Sequence, residues 1–102
     1  MTLSIKTNNN KEENVWEFSL IGEIDISNAH SFRKQLETAL AECRQNINID
    51  LAELKYIDST GLGVIIGVYG SVKKDGLSIK VLNPRDNVKK LLVISGLDKI
   101  LC

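Results

Sequence analysis

Net charge is missing from this chain: thirteen lysines and arginines balance thirteen aspartates and glutamates. The basic residues gather no further than pairs such as Lys73-Lys74 and Lys89-Lys90, as on an ordinary solvated helix face. The sequence therefore offers no electrostatic footprint for nucleic acid or an anionic membrane. Long apolar runs are missing too. None approaches the roughly 20 residues that cross a bilayer, and Met1-Thr2-Leu3-Ser4 lacks the basic and apolar pattern of a signal peptide, so a cytoplasmic location is expected. Cysteine is scarce. Cys43 and Cys102 have no metal-ligand spacing, and the lone histidine, His30, completes no zinc set with them, so no metal site is expected. Cys43 falls on an apolar helical stripe and is expected in the core, with Cys102 an ordinary terminal thiol. There is also no internal repeat, low-complexity tract or linker.

What remains has the composition of a globular domain, 43% apolar and 25% charged. A chain of 102 residues has room for one domain, taken as 1–102, and a domain of this size buries about two-thirds of its unfolded surface. The fold must then come from patterning. Leu3 to Lys6 and Val15 to Ile21 read as strands joined by a polar turn over residues 7–14, and Trp16, Phe18 and Leu20 supply the apolar face of the second. Gly22 bends the chain into Glu23-Ile24-Asp25. Ser27 or Asn28 can cap a helix in which Ala29, Phe32, Leu36, Ala39, Leu40 and Cys43 recur at steps of three and four.

Ile47, Ile49 and Leu51 alternate as a third strand. A second helix follows the segment Glu53 to Asp58, with Leu62, Ile65, Ile66, Tyr69 and Val72 as its expected buried stripe. Lys73-Lys74-Asp75-Gly76 closes it, and Leu77, Ile79 and Val81 mark a fourth strand. Asn83-Pro84 signals a third helix, because proline at the first helical position gives up an amide that would be unpaired anyway. Val88, Leu91 and Leu92 line that helix, Gly96 stops it, and Leu97, Ile100 and Leu101 pack behind it as a tail. The order β-β-α-β-α-β-α predicts an α/β domain, one sheet with parallel members linked by right-handed crossovers and helices packed on it.

The most informative stretch is Tyr56-Ile57-Asp58-Ser59-Thr60-Gly61-Leu62-Gly63, at a strand-to-helix junction. Asp58 or Ser59 suits the N-cap, and capping alone would explain an Asp-Ser-Thr triplet. The glycines call for more: Gly61, Gly63, Gly67 and Gly70 crowd one helix, where each interior glycine costs about 1 kcal/mol relative to alanine. Opposite the expected stripe lie Thr60, Gly63, Val64, Gly67, Val68 and Ser71, a small and partly apolar face. Helical geometry leaves two uses for it, close packing against a neighbouring helix or an exposed docking face.

Asp58-Ser59-Thr60-Gly61-Leu62-Gly63 resembles the signature of bacterial anti-anti-sigma factors (anti-sigma factor antagonists) of the STAS domain family. Gly22-Glu23-Ile24-Asp25 resembles the second motif of that family and Ser95-Gly96-Leu97 the third, so the likeness runs through nearly the whole chain in order. It implies a small mixed sheet with helices on one side. It also implies phosphorylation at Ser59, with Asp25, Asp58, Thr60, Gly61, Leu62 and Gly63 in the partner-binding region. The expected partner is an anti-sigma factor that is also a serine kinase; binding it releases a sigma factor, phosphorylation breaks the complex, and a metal-dependent serine phosphatase restores it. One departure is that the sequence ends soon after Leu97, without the further terminal helix of some relatives.

Two other readings compete with this one. A non-switching STAS scaffold, in a stress-signalling or transport-regulating assembly, would leave Ser59 unmodified. An enzyme would need a base beside Ser59, and the sequence has no Gly-x-Ser-x-Gly elbow and no sign that His30 meets it. Gly61, Gly63 and Gly67 lack both the lysine of a phosphate-binding loop and the spacing of a dinucleotide fingerprint. A protein without enzymatic activity or cofactor, monomeric when free, is expected.

Overall fold

A computed structural model describes residues 2–101; Cys102 lies outside them. The elements run β1 (Leu3–Asn10), β2 (Val15–Ile24), α1 (Ala29–Glu42), β3 (Asn46–Ile57), α2 (Ser59–Lys73), β4 (Ile79–Leu82), α3 (Asp86–Ile94) and a short α4 (Asp98–Leu101). The strands form one sheet in the order β1-β2-β3-β4. β1 is antiparallel to β2, and the β2–β3 and β3–β4 pairs are parallel. Both parallel connections step the same way across the sheet, so right-handed crossovers put α1 and α2 on one face. Burial agrees with that. Trp16, Phe18, Leu20, Ile47, Ile49, Leu51, Ile79 and Val81 point into the core, whereas Glu17, Ser19, Asn48, Asp50 and Lys80 on the alternate positions stay partly or fully exposed. The predicted mixed α/β fold with one-sided helices is what the chain adopts.

Two strands run further than their patterning suggests. β1 continues through Asn10 because Asn8 and Asn10 donate to Glu17 across the hairpin, at 2.9 and 3.2 Å, so polar side chains serve an edge strand facing water. β3 continues through Ile57, and the segment Glu53 to Ile57 is strand rather than a connection. The register between β2 and β3 slips at Ser19/Ile21 and again at Gly22/Glu23. Each slip inserts an extra residue into β3, so its buried positions change from steps of two to steps of three: Leu51, Leu54, Ile57. Gly22 has φ +111°, and a Cβ there would collide with the Thr2 carbonyl oxygen, so only glycine lets the strand run past that point.

The helices bring further corrections. Cys43 is exposed, not buried, because α1 has already ended: Cys43 is its C-cap, with extended backbone and its Sγ directed at Gln45 Oε1. α3 begins at Asp86, two residues after Pro84. Asn83 takes a left-handed φ of 54°, and the helix enters through extended Arg85. The stop at Gly96 is as expected, with Leu97 N donating to Leu92 O at 2.9 Å across the turn. Behind it Leu97 and Leu101 pack inward, Leu101 as the end of α4 rather than of an irregular tail, while Ile100 and Leu91 face solvent.

Candidate functional site

β2 and β3 are parallel and end side by side, and each hands over to a helix through an aspartate. A hydrogen bond from Asp58 N to Ile24 O, 3.2 Å, joins the two handovers. Gly61 in the first turn of α2 sits against the same strand ends. A Cβ there would lie 2.7 Å from Ile24 Cγ2 and 2.7 Å from Ile57 Cγ1, so the glycine is what lets α2 start this close to the sheet.

Asp58 is the N-cap of α2. Its Oδ1 accepts from Thr60 N at 3.0 Å, from Gly61 N at 3.2 Å and from the Thr60 hydroxyl. The Thr60 hydroxyl bond is the main cause that holds the Asp58 carboxyl below its ordinary value of 3.8, with the two amides adding to it; partial burial and the charge of Asp25 pull the other way. The cap uses the carboxylate and the threonine. Ser59, between them, is exposed, and its hydroxyl donates to no protein acceptor among the described residues.

The other handover has a related construction. Asp25 Oδ1 accepts from Ser27 N at 2.9 Å and from the Ser27 hydroxyl, which chiefly accounts for its lowered pKa. Asn28 stands at the N-cap of α1, yet its side chain does not cap the helix. It turns backward, accepting from Asp25 N at 3.0 Å and donating to Glu23 O at 3.0 Å. The expected Ser27 or Asn28 cap is thus replaced by bonds that fasten the loop, and the Asp25 carbonyl takes the Ala29 amide instead.

α2 is rotated relative to its expected stripe. Leu62, Ile65 and Val72 are buried, but so are Val64 and Val68, while Ile66 is 43% exposed and Tyr69 is half-buried. α1 lies alongside α2 as well as the sheet below, so the buried arc widens towards α1 and takes in the two valines. Close packing between helices therefore claims Val64 and Val68, and Gly63, Ile66, Gly67 and Gly70 remain on the outer face with Ser59. A Cβ at Gly63 or Gly70 would meet nothing within 4 Å, whereas one at Gly67 would come 3.1 Å from the Arg33 guanidinium. Of the residues anticipated from sequence, Asp25, Asp58, Ser59, Thr60 and Gly63 are at least partly accessible at one end of the sheet; Gly61 is buried and Leu62 is 9% exposed, so both lie beneath that surface. His30 is exposed in the first turn of α1, with no hydrogen bond to Ser59. Ile26, between Asp25 and Ser27, was not anticipated and is 80% exposed.

The STAS domain family model matches residues 6–101. The chain belongs to the STAS family. Among curated relatives of this STAS domain, an anti-sigma-B factor antagonist of Bacillus subtilis is 36% identical over 99 residues, covering 97% of this chain and 90% of the relative. An anti-sigma F factor antagonist of Paenibacillus polymyxa is 36% identical over 84 residues, covering 80% of this chain and 71% of the relative. Among solved structures, the unphosphorylated anti-sigma factor antagonist SpoIIAA superposes with a TM-score of 0.86 at 22% identity, over 97% of this chain and 86% of that one. The phosphorylated form of Bacillus SpoIIAA superposes at 0.77 with 21% identity, over 97% and 89%. At those identities the structural likeness establishes the fold of the STAS domain and nothing finer.

Proposed function

We propose that this STAS domain is an anti-sigma factor antagonist that binds an anti-sigma factor with serine kinase activity through the Asp25–Ser59 end of the sheet, and that phosphorylation of Ser59 switches the binding off. The observation that carries the reading is the division of labour at the start of α2: Asp58 and Thr60 spend their side chains on the cap and Ser59 does not. In the modification, Ser59 Oγ attacks the γ-phosphorus of ATP, the bond to the β-phosphate oxygen breaks, ADP leaves and the hydroxyl proton is lost to solvent or a kinase base. Thr60 is the poorer acceptor, because its hydroxyl would first have to leave Asp58.

A phosphoryl group adds about −1.5 to −2 charges at neutral pH. At the first residue of α2 it meets the positive end of the helix dipole, which favours it, and the carboxylates of Asp58 and Asp25, which oppose it. These opposing effects are of similar size, so the fold has no cause to rearrange. That a neighbour of this fold has been solved in both phosphorylated and unphosphorylated forms supports a switch without refolding. Binding is lost at the interface, where the partner must desolvate a dianion without a matching cation. Gly61 and Leu62 serve by seating α2, and Gly63 by leaving its outer face flat. A metal-dependent serine phosphatase would reset the switch.

The test is incubation with ATP and the anti-sigma factors of the same organism, followed by mass spectrometry and binding measurements. One phosphate on Ser59 and loss of binding on its addition are expected; binding without modification would instead favour a non-switching scaffold.

A further inference from the structure

Ile26 holds an apolar side chain, 80% exposed, where the chain turns from β2 into α1. Single exposed aliphatics are common on protein surfaces. Three observations set this one apart. First, its loop is fastened on both sides: Asp25 N is held by Asn28 Oδ1, Glu23 O by Asn28 Nδ2, and Ser27 N by Asp25 Oδ1, all within 2.9 to 3.0 Å, while Asn28 N and Ala29 N donate to Asp25 O. Second, the turn repeats the one that presents Ser59. In Asp25-Ile26-Ser27 and in Asp58-Ser59-Thr60 the aspartate accepts both the amide and the hydroxyl of the residue two positions on, and the middle side chain is left outside. Third, the two turns are joined, since Asp58 N donates to Ile24 O and Gly61 packs on Ile24.

We infer that Ile26 is the apolar anchor of the interface, entering an apolar pocket on the anti-sigma factor beside the surface that meets Ser59. The inference rests on the proposed antagonist function and adds to it the residue that supplies affinity, as distinct from the one that switches it. The partner must approach Ser59 to phosphorylate it, and the continuity of the two turns brings Ile26 to the same partner. A side chain presented by a fastened loop loses little further freedom on binding, so its burial is expressed largely as affinity. Moving an isoleucine side chain from water into an apolar pocket corresponds to about 10- to 100-fold in the dissociation constant. The occupant is the anti-sigma factor and not a second copy of this chain.

The test compares the full chain with Ile26→Ser, Ile26→Leu and Ser59→Asp by calorimetric titration against the purified anti-sigma factor of the same organism, with thermal melts and sedimentation of each variant alone. Ile26→Ser should weaken binding by about 10- to 100-fold with an unchanged melt, and Ile26→Leu, which conserves volume, should bind within about threefold of the parent. Ile26→Ser binding within twofold of the parent, while Ser59→Asp does not bind, would overturn the anchor and leave the antagonist function standing. A parent that does not bind, or that binds no better than Ser59→Asp, would overturn the antagonist switch and the anchor with it. If Ile26→Ser instead dissociated a homodimer and bound the anti-sigma factor as before, the occupant would be a second copy and the anchor as stated here would be wrong.

Discussion

The starts of α1 and α2 use the same short device for different ends. Both follow a parallel strand, and both open with an aspartate that accepts the amide and hydroxyl of the residue two positions later. At α2 the carboxylate also reaches Gly61 N and caps the helix. At α1 it stops at Ser27, and Asn28 looks back into the loop, so this helix begins without a side-chain cap. One turn therefore stabilises its helix and the other fixes a loop. Each leaves its middle residue outside, an isoleucine in one and a serine in the other.

The largest expected effect comes from separating the two starts. Gly61→Ala would push a methyl group against Ile24 and Ile57, both β-branched and fully buried, and overpacking of this kind costs about 1 to 3 kcal/mol. Chemical denaturation should show that loss, and amide exchange should quicken at both Asp58 and Asp25. Next in size is the cap. Asp58→Ala should cost roughly 0.5 to 2 kcal/mol by denaturation and expose the amides of Thr60 and Gly61 to exchange; Asp25→Ala should cost less and act on the loop amides alone.

Acid sharpens the same contrast. Both carboxyls have folded-state pKa values below the ordinary 3.8, so the stability they contribute is complete above that value and is lost as the pH falls through the lower folded one. Asp58→Asn keeps a capping oxygen that does not titrate. Its stability should therefore fall less steeply than the parent's below about pH 4.

Gly63→Ala should go the other way. Its methyl group meets open space, and helix propensity should raise stability by up to about 1 kcal/mol. Weaker binding to the anti-sigma factor in spite of that gain would mark the flat face of α2 as part of the interface; unchanged binding would remove Gly63 from it. The smallest effect is expected of Ser59→Ala, within about 0.5 kcal/mol by thermal melt, because its hydroxyl bonds to no protein group among the described residues. A larger loss would make Ser59 part of the cap after all.

Where an element kept one regular apolar period along its whole length, the sequence was easy to read. Phe32, Leu36, Ala39 and Leu40 recur at helical intervals along α1, and they are buried as expected. Where two constraints met, it was not. Leu54 and Ile57 follow strand bulges whose place depends on the register with β2, which no local pattern encodes. The helical spacing puts Ile66 in the core of α2 in place of Val64 and Val68, because the approach of α1 is a property of the assembled fold. Cys43 continues the spacing of α1 one step beyond its end.

The candidate site was legible in its identities and not in its bonding. Asp58, Ser59 and Thr60 stood out as a helix start, but which of them caps and which stays free depends on geometry. Asn28 could equally have capped α1 or turned back. Ile26 did leave a signal, an aliphatic residue flanked by Asp25 and Ser27 in a short polar loop, though nothing in the linear chain joins its turn to that of Ser59.

On the proposed function, one free hydroxyl at the start of α2 governs binding without altering the fold. Titrating the anti-sigma factor with the chain in its unmodified and Ser59-phosphorylated forms, each assigned by backbone amide NMR, tests it most directly. Tight binding by the unmodified form, none detectable by the phosphorylated form, and amide shifts confined to the neighbourhood of Asp25 and the first turns of α2 are expected. Equal binding by both forms, or shifts spread across the whole sheet, would contradict it.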